Sequence, residues 1–283
     1  MVPEREAFAR RSEALALDAR RPDGVAYRSL PEDGGAVLAR EFGLALREVQ
    51  ARCLDAGIVP ERYARNLTTH SLSEQARLLR SRVVVVGLGG LGGHVLEILC
   101  RMGVGRISAA DGDLFEQSNL NRQLLSSSLT LERTKATAAL ERARLINPAV
   151  ELLADGVFWD FEDMETVLAG ADLAVDAMGG LDDRPALQRA AAGAGVPLVT
   201  AAIAGMSGYV ATVLPGQVGP ATLFGTGAAA EDSLGSPAPS VAVAASLQCA
   251  EALGILCGWA PTLAGKMLIF DLADMTFETM QIA

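Results

Sequence analysis

Residues 83–93 read VVVVGLGGLGG, and this stretch constrains the fold more than any other. Four consecutive β-branched residues read as a buried strand. The spacing Gly87-x-Gly89-x-x-Gly92 then reads as a tight turn into a helix starting near His94. Residues without a Cβ let the backbone come close to a ligand. The turn also aims free N–H groups and the positive end of a helix dipole at an anion, most often a phosphate. Such a turn accepts several nucleotides, and it does not by itself say which.

The surrounding pattern supplies a sheet for that turn. VVVVG, RISAAD, VELLAD, LAVDAM and PLVTAA read as short apolar strands, separated by the helical stretches HVLEILCRM, LERTKATAALERARLIN, FEDMETVLAG and RPALQRAAAGAG. Continuously apolar strands alternating with helices imply a parallel sheet covered on both faces. The expected class is therefore α/β, a doubly wound, Rossmann-like, mostly parallel sheet. GYVATVLP and a closing hairpin, KMLIFDL then TFETMQI, extend it with antiparallel strands. Residues 1–60 read as a leader plus helical segment, and residues 61–283 as the nucleotide-binding domain. Within the first part, residues 1–35 read as a loosely held leader and residues 36–56 as one amphipathic helix closing at Gly57. A helix capped by Ser71 or Ser73 follows the short basic stretch RYARN. Residues 215–240, rich in Gly, Pro, Ala and Ser, read as a mobile loop, and residues 241–258 as a buried helix.

Composition narrows the partners. Net charge is −10, which argues against nucleic acid and anionic membrane surfaces. Neither a signal-peptide-like run nor a membrane span of about 20 uninterrupted apolar residues is present. Cys53, Cys100, Cys249 and Cys257 are scattered without a CxxC pair, so neither a disulfide framework nor structural zinc is expected. A cytoplasmic, reduced setting fits best.

The nucleotide is read further down the chain. Asp111, at the end of the second strand, stands where an acid holds a ribose hydroxyl. It opens a dense polar run containing Asp113, Ser118, Asn119, Asn121, Arg122 and Gln123, and Lys135 follows at the start of the next helix. An NAD dehydrogenase has no need of this run. A guanidinium and an ammonium converging on a phosphate-binding turn suit a triphosphate, where they stabilise the charge that grows as pyrophosphate leaves.

VVVVGLGGLGG, DGDLFEQSNLNRQ and the lysine of ERTKA, in that order, resemble the MoeB/ThiF/HesA family, the bacterial ubiquitin-activating-enzyme-like adenylyltransferases. The resemblance runs from about Arg62 to the C-terminus. It implies ATP and Mg2+ as cofactors and, as partner, a small ubiquitin-fold sulfur carrier ending in Gly-Gly, whose carboxylate is adenylated in molybdopterin, thiamine or related sulfur-transfer biosynthesis. It further implies that Gly87, Gly89, Gly90 and Gly92 approach the nucleotide and Asp111 holds the ribose. Ser118, Asn119 and Arg122 then contact ATP, and Lys135 lies on the phosphates. RYARN resembles the family's dimer-crossing segment, which implies a homodimer in which Arg65 serves the neighbouring site.

The match departs from the family in one chemical respect. The family's D-x-x-D-N-like segment, whose second aspartate is associated with magnesium, reads here Asp176-Ala-Met-Gly179-Gly180. Gly179 and Gly180 stand in place of the acid and the amide, leaving Asp176, Asp182 or Asp183 as magnesium candidates. The family's zinc cysteines are also absent, and the 215–240 loop carries no cysteine nucleophile. Two alternatives stand beside the leading reading. One is a catalytically impaired nucleotide-binding dimer that docks a carrier, and the other is adenylation of a different carboxylate, tRNA-linked or peptide.

Overall fold

The chain was studied as a computed structural model, which describes residues 2–225, 227 and 230–282. Its N-terminal part departs from expectation. Residues 1–35 were expected to be a loosely held leader, yet they form helix α1 (Val2–Leu15) and strands β1 (Leu17–Arg20) and β2 (Ala26–Leu30). β2 pairs antiparallel with β1 and parallel with β3 (Ile58–Pro60). The expected single helix over 36–56 is two helices, α2 (Glu32–Phe42) and α3 (Leu46–Asp55). Gly43 sits at φ 62° in the left-handed region and closes α2 by donating to the Ala39 carbonyl, a C-terminal device that glycine adopts at low cost. Phe8, Leu30, Leu38, Val49, Cys53 and Ile58 form a small core between these elements. Phe42 and Leu46 fall on either side of the break, so the apolar spacing continues across it while the backbone turns.

A 3-10 helix over Glu61–Asn66 leads to α4 (Leu72–Arg80). Ser71, rather than Ser73, caps α4, and Glu74 reaches back to the Ser71 N–H to complete a capping box. The main sheet then begins. It comprises β4 (Arg82–Val86), β5 (Arg106–Ala110), β6 (Glu151–Asp155), β7 (Leu173–Asp176), β8 (Leu198–Ala204), β9 (Ser207–Val213), β10 (Lys266–Asp271) and β11 (Thr276–Gln281). Its order is β11-β10-β9-β8-β7-β4-β5-β6. The five strands from β6 to β8 are parallel, and β9 to β11 extend the sheet antiparallel. Val83, Val84 and Val85 are fully buried, as expected for a central strand covered on both faces.

The intervening helices are α5 (Gly90–Met102), α6 (Lys135–Ile146), α7 (Phe161–Leu168) and α8 (Arg184–Ala194). α5 begins at Gly90 and not near His94, because the glycines themselves form its first turn. α6 begins only at Lys135, with Thr134 as its cap. Two short helices, α9 (Pro220–Phe224) and α10 (Glu231–Leu234), lie within the segment expected to be a loop. The long α11 (Ala238–Cys257) is apolar enough to cross a membrane by length and composition. Here it packs into the main core with Val241, Ala244, Ala245, Cys249, Ala252 and Leu256 against α5 and the sheet. All four cysteines are buried thiols, and burial pushes Cys53, Cys100 and Cys249 up to about 12.

One buried acid on α5 ties that helix to α6. Glu97, 8% exposed, accepts from Arg142 at 2.8 and 2.9 Å and from Arg101 at 2.8 Å. Burial pushes its carboxyl up, but the bonds from Arg142 and then Arg101 outweigh this and hold it below the ordinary 4.5. A lowered folded-state pKa gives stability that is complete above 4.5 and is lost as pH falls through the folded value. Glu97→Gln is therefore expected to melt below wild type at pH 7, with the gap in Tm closing as the solution is acidified below 4.5.

Candidate active site

The strand order reverses between β4 and β7. From β4 the chain winds outward through β5 and β6, then returns to place β7 on the other side. At such a switch point the loops after two neighbouring strands diverge and open a crevice at their C-terminal ends. The structure has a cavity of about 770 Å3 there, within the usual range for a small-molecule site. Its lining includes Val86 at the end of β4, Asp111 after β5, Ala177 and Gly179 after β7, and Ile203 in β8.

The glycine turn forms one wall, and its glycines are required sterically. Gly87 has φ 97°, and a Cβ there would lie 2.5 Å from the Ala177 carbonyl oxygen. At Gly92 a Cβ would overlap the Gly87 carbonyl. Gly92→Ala therefore forces the strand–helix turn apart. We expect it to cost about 1–3 kcal/mol and to remove nucleotide binding, measured by urea denaturation and calorimetry.

Asp111, 6% exposed, fastens the turn to the polar run. Its Oδ2 accepts from the Leu88 N–H at 2.8 Å, and its Oδ1 accepts from the Asp113 N–H at 3.0 Å. Lys135 Nζ stands 3.4 Å from Asp111 Oδ1 and 2.7 Å from Asp113 Oδ2. This lysine is 5% exposed and occupies the first position of α6. A cation buried at the positive end of a helix dipole is doubly unfavourable, and the two carboxylates offset that cost. The ammonium also faces the turn, 3.8 Å from where a Gly89 Cβ would stand. Arg122 lines the same cavity, with Nη1 held by the Ser118 carbonyl at 2.9 Å and by Asn121 Oδ1 at 2.8 Å. Gln123 is 7% exposed and lines the cavity, yet its Oε1 has no donor among the described residues. A buried orphan acceptor of this kind fits a ligand N–H or O–H.

The cavity thus gathers Gly87, Gly89, Gly90, Asp111, Asp113, Asn119, Asn121, Arg122, Gln123, Lys135, Gly179 and Asp183. Other expected residues lie outside its lining. Gly92 and Gly180 act through the backbone of the turn and of the loop after β7. Ser118 contributes its carbonyl to Arg122, while its hydroxyl lies 3.4 Å from Asn119 Nδ2. Arg65 is exposed on the 3-10 helix. Asp182 accepts from the Gly227 N–H at 3.0 Å. Asp176 is 1% exposed, and both its oxygens are engaged, Oδ2 by Arg184 and Thr200 and Oδ1 by the Met178 N–H. That leaves Asp176 a buried structural acid outside the cavity lining.

Two residues that sequence reasoning missed shape the site. Arg184, 4% exposed, donates to the Gly180, Met178 and Ala201 carbonyls at 2.7, 2.6 and 2.9 Å as well as to Asp176 at 2.8 Å. It clasps the loop after β7 into shape. Glu231, on α10, accepts from the Gly180 N–H through Oε1 at 2.8 Å and lines the cavity. A signal for it existed: Glu231 and Asp232 are the only charges in residues 215–240.

Comparison with known proteins agrees with this geometry. The ThiF family pattern matches residues 63–283. The chain is 37% identical over 221 residues to a sulfur carrier protein adenylyltransferase of Thermus thermophilus, covering 74% of this chain and 81% of the relative. It is 34% identical over 230 residues to the SAMP-activating enzyme E1 of Haloferax volcanii, covering 78% and 84%. Escherichia coli MccB, solved with ATP, superposes with a TM-score of 0.67 at 20% identity, over 90% of this chain and 80% of that one, which supports the fold. Glycine turn, switch-point cavity and matched sequence agree, and the chain belongs to the ThiF family, the MoeB/ThiF/HesA group of adenylyltransferase-fold proteins.

Proposed function

We propose that the protein adenylates the C-terminal Gly-Gly carboxylate of a ubiquitin-fold sulfur carrier with ATP. The observation that carries this reading is the buried Lys135 beside the glycine turn, with Arg122 lining the same switch-point cavity. In the reaction a carboxylate oxygen of the carrier forms a bond to the α-phosphorus. The bond from that phosphorus to the α,β-bridging oxygen breaks, and pyrophosphate leaves with the electron pair. The turn's N–H groups bind phosphate oxygens, Asp111 orients the ribose, and Gln123 Oε1 accepts from the nucleotide. Lys135 and Arg122 stabilise the charge that accumulates on the phosphates.

The cavity suits a metal–nucleotide complex better than a bare nucleotide. Asp111, Asp113, Glu116, Asp183, Glu231 and Asp232 line it against only Arg122, Lys135 and Arg184. No cluster of three metal-ligating side chains occurs among the described residues. That fits magnesium, which is held by one or two carboxylates plus phosphate oxygens and keeps its remaining waters. When bound, it would neutralise charge on the leaving pyrophosphate. Arg65, exposed on its 3-10 helix, is free to reach a neighbouring copy in a homodimer. ATP as substrate and four buried thiols fit a reduced, cytoplasmic setting.

The test is isotope exchange between pyrophosphate and ATP with a purified carrier ending in Gly-Gly. Exchange that depends on the carrier and its terminal carboxylate supports the proposal. ATP binding without exchange across carriers would instead favour the docking dimer, and exchange driven by a peptide or a tRNA-linked carboxylate would move the substrate.

A further inference from the structure

The loss of an acid and an amide at positions 179 and 180 leaves those two positions with no side chain to offer a cation, and Asp183 is the acid of that loop that lines the cavity. The structure brings another carboxylate to that place. Glu231 comes from α10, 51 residues further along the chain, and its Oε1 accepts from the Gly180 N–H at 2.8 Å. A Cβ built on Gly179 would meet that same oxygen at 3.6 Å, an ordinary contact, and no other heavy atom within 4 Å. The Glu231 carboxylate therefore occupies the space into which a side chain at position 179 would project. Its second oxygen, Oε2, has no hydrogen-bond partner among the described residues.

Charge argues for what that oxygen meets. A carboxylate lining a cavity that holds a polyphosphate would be strongly repelled unless a cation stood between them. The cavity's own cations are largely committed, Lys135 to Asp111 and Asp113 and Arg184 to Asp176. Gln123 Oε1, buried and without a donor, independently marks the cavity as built for a ligand.

We infer that Glu231 is a carboxylate ligand to the divalent cation of the bound nucleotide, supplied by α10 in place of the acid that the family resemblance implies at position 179. The inference rests on the proposed function, since it requires a metal–nucleotide complex in this cavity. It makes α10 part of the metal centre. α10 is held in place by the Gly180 bond, and its carboxylate is presented to the phosphates.

The test uses Mn2+ as a paramagnetic probe and α,β-methylene-ATP, which cannot be adenylated onto a carboxylate. Glu231→Gln keeps an oxygen for the Gly180 N–H and removes only the charge. Binding of the analogue in metal-free buffer, followed by calorimetry, is expected to remain within twofold of wild type. Nucleotide-dependent Mn2+ affinity, followed by electron paramagnetic resonance, is expected to fall at least tenfold, the lower end of roughly what loss of even an outer-shell partner costs a metal site. Gly179→Asp combined with Glu231→Ala is expected to restore most of that affinity, because shortening residue 231 vacates the space ahead of position 179. Wild-type Mn2+ affinity in Glu231→Gln would overturn the inference, and so would failure of the double variant to recover. A wild-type protein that binds Mn2+ and the analogue independently, or no analogue at all, would overturn the proposed function as well.

Discussion

Lys135→Met is expected to lower carrier-dependent pyrophosphate exchange by roughly two to three orders of magnitude, the range for removing one preorganised charge partner of a transition state. The variant keeps most of the packing of the lysine stem and deletes the ammonium alone. Asp111 would still hold the Leu88 and Asp113 N–H groups, so the turn should remain intact, and losing its cation partner at 3.4 Å should cost less stability than Arg184→Met does. The interaction grows as charge accumulates on the phosphates, so the loss should appear mainly in kcat, with a smaller change in KM for ATP. Exchange within a few-fold of wild type would reduce Lys135 to a buried ion pair that serves only to hold the polar run.

Arg184→Met carries the largest expected effect on stability, about 3–5 kcal/mol, measured by urea denaturation. The guanidinium is nearly fully buried and faces Asp176, itself 1% exposed. Removing it leaves an uncompensated carboxylate in the core and frees the Met178 and Gly180 carbonyls. Adding Asp176→Asn should recover part of the loss, because the buried charge then disappears with its partner. The two variants also separate stability from chemistry. The double variant should fold, yet its loop after β7 has lost its clasp, and nucleotide binding should stay weak. Equal destabilisation of single and double variants would mean that the carbonyl contacts, and not the ion pair, set the cost.

The parts of the fold that could be read from the chain are those whose signal is local. β4, β5, β7 and β8 are short apolar runs because both their faces are covered, and the helices between them carry their own caps and periodicity. The glycine turn is legible because its stereochemistry allows no other residue at Gly87 or Gly92. The N-terminal sheet is not legible in that way. β1 is four residues long and mostly exposed, and its place is set by contacts at a distance: Arg28 bridges to Asp18 and Glu13, and Phe8 packs edge-on against Phe42. The break at Gly43 was hidden because apolar spacing continues through it. In the site, Asp111, Arg122 and Lys135, named from their motif order, line one cavity. Asp176 reads as a magnesium candidate until Arg184 is seen against it, and nothing in the seven residues between them announces a buried pair. Glu231 belongs to the site through a hydrogen bond that spans 51 residues, beyond the reach of any periodicity.

The account turns on which nucleotide the switch-point cavity takes, and calorimetry with purified protein answers that most directly. Titration with Mg-ATP should give one site per chain, lost in Gly92→Ala, while NADH under the same conditions should give no heat of binding. Tight binding of NADH with none of ATP, or ATP binding unaffected by Gly92→Ala, would contradict it.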